Sequence, residues 1–173
     1  MKQNTFIILL LFVILFIPIT VFAKWPDKEK IKTGIIGSWD FNRFWGVYQN
    51  PAVKAGENPA DINLMFTFYA DGKARVWSKD KSKYNVADKK YHWGIVSIKS
   101  TEGKEAFAVK LVDTSVDPSD QSAIENAKAE MLFVMTGVSK KNMWWIKTAE
   151  DGSFSEKDYM TEFNKANIIA PTY

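Results

Sequence analysis

His92 is the one imidazole in the chain, and any imidazole-based chemistry would have to pass through it. A Ser–His–Asp triad also needs a presented nucleophile, and no Gly-x-Ser-x-Gly turn occurs. A metal site built on imidazoles needs more than one of them. The absence of cysteine removes thiolate nucleophiles, thiolate metal sites and disulfides together. Asp71 and Asp151 each precede a glycine, the usual signature of a tight turn. Asp40, Asp61, Asp113 and Asp117 fall near strand ends or in loops, and no spacing singles out a glycosidase-like pair. The residues therefore predict a protein that is not an enzyme, with no catalytic residue, no metal and no cofactor.

Aromatic side chains offer recognition instead. The chain has seven Trp, twelve Phe and six Tyr. Phe41, Phe44, Trp45 and Tyr48 run on from a strand-like segment into a Pro- and Gly-containing stretch at 50–61, which reads as a loop or flap. Together with Phe66, Phe68, Trp77, Trp93 and Trp145 they are the candidate ligand- or partner-binding residues, because Trp and Tyr give large contact area at low entropic cost. Trp144 and Trp145 are adjacent and, in a strand, point to opposite faces. With Trp144 and Ile146 on the core face, Trp145 needs a lid or a partner. Lys73, Arg75, Lys79, Lys81, Lys83, Lys89 and Lys90 cluster on one hairpin and its following loop. Asp71, Asp80 and Asp88 dilute the cluster, which reads as a solvated edge rather than an anion-binding patch.

These residues need a scaffold, and alternation supplies one. Leu64, Phe66 and Phe68 alternate with Met65, Thr67 and Tyr69; Asp71-Gly72 follows; Ala74, Val76 and Ser78 alternate with Arg75 and Trp77. Two alternating runs around Asp-Gly predict a β-hairpin. Tyr91 to Ile98 predicts a strand with Tyr91, Trp93 and Ile95 on one face, and Ala106 to Val112 its partner. Met131 to Val138 and Met143 to Thr148 form a later pair around Ser139–Asn142. Residues 25–32 read as a polar lead-in and 79–90 as a solvated loop. Asp117-Pro118 resembles a helix start, predicting a short helix to Ala129. Tyr159, Met160 and Phe163 at helical spacing after Ser155 predict a second short helix, and 168–173 an edge strand. The fold class is mainly β: an antiparallel up-and-down barrel of seven to eight strands with one or two short helices.

The head of the chain reads as an export signal. Lys2 precedes an unbroken apolar run from Phe6 to Ile17; Pro18 ends it, and Val21-Phe22-Ala23 fits a signal-peptidase site. The run falls short of the about 20 residues of a spanning helix, so cleavage before Lys24 is favoured over a retained anchor. Residues 24–173 then form one domain, exported to the periplasm or secreted, with no stable membrane insertion after cleavage. Loss of Lys2 lowers the formal charge from +3 to +2, with Lys and acids interspersed, unlike the concentrated basic face of a nucleic-acid binder.

Gly37-Ser38-Trp39 resembles the Gly-x-Trp that opens lipocalins and the shorter bacterial lipocalin-like domains. Leu64 to Ala74 resembles their second-strand hairpin, Tyr91-His92-Trp93-Gly94-Ile95 the strand after it, and Val138 to Trp145 their late hairpin. The helix-like insert at 117–129 departs from the minimal pattern. The resemblance implies a closed barrel with Trp39 packed across its closed end, and a small hydrophobic or aromatic ligand inside. The alternative is a protein-interaction module, an inhibitor or immunity-type protein that binds an envelope or secreted partner. A hollow interior of a few hundred Å3 favours the first. A filled interior with exposed aromatics around Trp45, Tyr48 or Trp145 favours the second.

Overall fold

The alternating segments pair in chain order, each antiparallel to the next, and the last returns to the first. The computed structural model describes residues 25–45, 64–78, 87–149, 151–156, 160–168 and 172–173, with the side chains of 43–45 left out. The segments read from the sequence as an export signal (1–23) and as a loop (50–61), and most of the one read as a solvated loop (79–90), lie outside the described residues.

Eight strands close the barrel: β1 (Gly37–Trp45), β2 (Leu64–Phe68), β3 (Lys73–Ser78), β4 (Lys89–Lys99), β5 (Glu105–Val112), β6 (Met131–Val138), β7 (Asn142–Lys147) and β8 (Met160–Lys165). Among the described residues two short helices accompany them, α1 (Lys28–Gly34) before β1 and α2 (Gln121–Asn126) between β5 and β6. The Asp71-Gly72 hairpin forms as its sequence demands, with Gly72 at φ 82°, a conformation that only glycine adopts without strain.

Period-2 alternation sorts residues between the two sides of the wall. Trp39 and Phe41, Phe66 and Phe68, Ala74 and Val76, Tyr91, Trp93 and Ile95 face inward, followed by Val109 and Leu111, Phe133 and Met135, Trp145 and Phe163. One bulge at Phe41/Arg43 in β1 and another at Met135/Gly137 in β6 bend the wall so that it closes.

α1 packs its apolar side against the interior and closes one end. Asp27 caps it by accepting from the Lys30 amide at 2.8 Å, and Ile31 and Ile35, one turn apart, are fully buried. Trp39 lies beneath, fully buried, and its indole N–H donates to the Ile35 carbonyl at 2.6 Å. The polar lead-in expected at 25–32 is therefore half helix: an Asp cap and an i, i+4 pair of Ile outweigh the surrounding Lys and Glu.

The expected C-terminal helix is a strand. Met160–Lys165 pairs with both β7 and β1, and without it the barrel would present two open edges. Ladder bonds on both sides outweigh a local helical spacing. The insert helix is real but shorter than expected, and its cap is Asp120, which accepts from the Ala123 amide at 3.0 Å. Asp117 instead holds the preceding turn through Ser119. Lys89 and Lys90 belong to β4 rather than to a loop. Thr172 and Tyr173 are not strand.

Candidate functional site

The interior is the first place to look for a ligand, and aromatic rings fill its middle. Phe66 on β2 lies 4.9 Å from Trp145 on β7, 5.5 Å from Phe163 on β8 and 5.6 Å from Phe133 on β6, all edge-on. Trp145 stacks on Phe133 at 4.1 Å and tilts against Phe163 at 4.3 Å. Phe41 meets Phe163 at 5.8 Å, and Phe68 meets Trp93 at 5.7 Å. These are the offset and edge-to-face arrangements that ring quadrupoles prefer, worth roughly 0.5–1.5 kcal/mol per pair beyond burial. Rings from strands on opposite walls touch, so the barrel axis is occupied at this level by the protein's own side chains.

Five of the nine candidate residues, Phe41, Phe66, Phe68, Trp93 and Trp145, thus gather in one cluster. Trp145 faces inward at 2 % exposure, and Trp144 and Ile146 face out, so the alternative in which Trp145 would need a lid or a partner does not arise. The reason is register: Trp145 pairs with Thr161 and Met143 with Phe163, and the inward Phe163 fixes which face of β7 is inner. Trp77 stands on the outer wall. Its indole N–H donates to the Thr67 hydroxyl at 3.0 Å, and that oxygen also bonds to Ser38 at 2.9 Å. Tyr48 and the side chains of Phe44 and Trp45 lie outside the described residues; the backbones of Phe44 and Trp45 pair with Thr161 and Met160.

The outer wall is covered in several places. Ile124 of α2 is fully buried over Gly94, where an added Cβ would stand 2.7 Å from its Cγ2. Lys110 runs under the same helix and donates to the Glu125 carbonyl at 2.8 Å, and burial lowers its pKa. Ala106, Val134, Ile146 and Phe154 form a second cluster, on the outside of β5 to β7, with Trp25 resting on Phe154 at 5.9 Å. Lys104 Nζ stands 3.9 Å above the Trp25 ring. The partly exposed Trp144 lies across Gly137, where a Cβ would meet the ring at 2.8 Å. At the closed end Lys165 Nζ stands 4.4 Å over Trp39 and donates to the Ile36 carbonyl.

His92 occupies the outer wall of β4. Its Nδ1 bonds to the Val116 carbonyl, and its ring stacks on Tyr173. No three of His, Asp and Glu converge among the described residues. Charges around this wall are paired: Arg75 with Asp88, and Lys73 with Asp71. The Arg75 bond holds the Asp88 carboxyl below the usual range, and the Lys73 bond does the same for Asp71. The grouping of Tyr69, Arg75, His92 and Tyr173 was not legible in the sequence, because its members come from four separate segments. Only the outward phase of Tyr69, Arg75 and His92 could have pointed to it.

Comparison of the chain with models of protein families, with curated proteins and with solved structures finds no match in any of the three.

Proposed function

We propose that the protein is an exported protein-interaction module whose barrel is a rigid platform and whose outer wall meets a partner. The observation that carries this is the Phe66–Trp145–Phe133–Phe163 packing across the barrel axis, which takes the space that an interior ligand would need. Barrel order and the burial of Trp39 at the helix-closed end are consistent with kinship to lipocalin-like domains, but the filled middle favours the second of the two roles expected of such a barrel. The inner face is apolar and the outer carries Lys73, Arg75, Lys90 and Lys110, the inverse of a membrane-spanning barrel with a polar lumen. The apolar run from Phe6 to Ile17 and the Val21-Phe22-Ala23 triplet support the export part of this reading, a module of the periplasm or cell exterior.

A photo-crosslinking residue at Trp77 or Trp144, the partly exposed indoles of opposite walls, tests the reading in the native envelope or secreted fraction. A single defined adduct from one wall, competed by unlabelled protein, is the expected result. Saturable quenching of indole fluorescence by fatty acids or aromatic compounds at micromolar concentration, without any adduct, would return the function to the barrel interior.

A further inference from the structure

Thr172 and Tyr173 lie against the outer wall of β3 and β4, far in sequence from everything they touch. Arg75 Nη1 donates to the Thr172 carbonyl at 2.7 Å. The Tyr173 hydroxyl donates to the Tyr91 carbonyl at 3.1 Å. Its ring stacks on His92 with centroids 6.2 Å apart and meets Tyr69 edge-on at 5.8 Å. The Nζ atoms of Lys73 and Lys90 stand 5.4 and 5.2 Å from its centroid, within cation–π range.

The receiving side is fixed by bonds that do not involve this segment. Asp88 holds the Arg75 guanidinium through Nε at 2.7 Å and through Nη2. Val116 holds His92, and Asp71 holds Lys73. A wall already ordered loses little further entropy when a ligand arrives. The contacts read three separate features: a backbone carbonyl, an aromatic ring and a phenol hydroxyl. A phenylalanine satisfies two of them, and an aliphatic residue only the carbonyl.

We propose that this wall is a recognition site for a tyrosine carried on an extended peptide segment, and that Thr172–Tyr173 is its resident occupant, displaced when the partner presents its own tyrosine. The proposal rests on the interaction-module reading and gives it a contact face and a partner chemistry. A tethered occupant competes at an effective concentration on the order of millimolar, so only a segment that adds contacts elsewhere replaces it.

The experiment uses a fluorescent peptide of residues 164–173 and measures its anisotropy against three chains. These are the intact chain, the chain lacking residues 172–173, and Tyr173→Ala, which opens the ring site with the backbone kept. Indole emission and far-UV circular dichroism report whether each is folded. Binding to the shortened chain at least about tenfold tighter than to the intact one is expected. Tyr173→Ala should fall between them, and Arg75→Ala in the shortened chain should abolish the gain. A peptide with Phe in place of the tyrosine should bind about three- to tenfold more weakly, the share of one hydrogen bond. Equal binding to intact and folded shortened chains, or no binding to either opened variant up to millimolar peptide, overturns the site. So does indifference to Arg75→Ala. Any of these results would leave the module reading to the crosslinking at Trp144, on the opposite wall.

Discussion

Phe66 on β2 and Phe133 on β6 meet edge to face at 5.6 Å across the barrel, with β3, β4 and β5 between them one way round and β7, β8 and β1 the other. Two side chains reaching the axis from opposite walls fix the radius at that level. They also tie the closure of the sheet to the packing of its core, since the wall cannot open without parting the rings. In a chain without disulfides, that coupling is a main source of the barrel's integrity.

Phe66→Ala should therefore cost about 3–5 kcal/mol, the usual range for emptying a buried aromatic position. It leaves an apolar hole bounded by Phe133, Trp145 and Phe163, the kind of space that stays dry and takes up benzene. Urea unfolding with and without benzene checks both points. The variant midpoint should rise with benzene while the parent's does not move. A loss below about 1 kcal/mol, with no benzene effect, would mean that the rings do not close the axis.

Most of this interior was legible in the sequence. Alternation around Asp71-Gly72 placed Phe66 and Phe68 together, and the phase of Tyr91, Trp93 and Ile95 held to the inner wall. What was not legible depended on partners. Trp144 and Trp145 present equal claims until Phe163 chooses between them, and Phe163 belongs to a segment whose own spacing reads as helix. The role of Gly94 likewise becomes visible only when Ile124, thirty positions later, is placed over it. Local pattern fixes faces within a strand; which face is inner, and what covers the outer, is decided by contacts distant in sequence.

Gly94→Ala is expected to cost about 1–3 kcal/mol, because the new methyl meets the Cγ2 of Ile124 at 2.7 Å and Ile124 is fully buried between α2 and the wall. The clash is specific, so the penalty should shrink when Ile124 is already alanine. A double-mutant cycle by urea unfolding reads the coupling, with at least about 1 kcal/mol of rescue expected. Additive losses would show that α2 is not held on the wall by this contact.

Thr67→Val keeps shape and removes the oxygen shared by Ser38 and the Trp77 indole. Thr67 and Ser38 are 1 % and 4 % exposed, so water cannot readily replace the lost partner. A loss of about 1–3 kcal/mol is expected. Ser38→Ala should then cost less in the Thr67→Val background than in the parent. Emission from Trp77 should shift as its N–H loses its acceptor, and an unchanged spectrum together with unchanged stability would count against the bond.

Acid should unfold the barrel through its turn carboxylates. Glu102 is held at about 2, chiefly by the Ser155 hydroxyl and next by Thr101, against 4.5 as the ordinary value. Ser119 lowers Asp117, Ser153 lowers Asp151 and Arg75 lowers Asp88, each through a side-chain hydrogen bond. In each case the folded group binds its proton less readily than the unfolded one. Between the two pKa values the unfolded chain therefore carries more protons, and stability falls as pH drops. The contribution is complete above about pH 5 and fades as pH falls from about 4.5 toward 2. Urea midpoints should be level from about pH 7 to 5 and fall below that, with a shallower fall in Glu102→Gln. Salt separates the causes: the Arg75–Asp88 share weakens with ionic strength, whereas the hydroxyl bonds to Glu102 do not depend on an opposite charge. A Glu102→Gln profile parallel to the parent's at every pH would refute the bond between the Glu102 turn and Ser155.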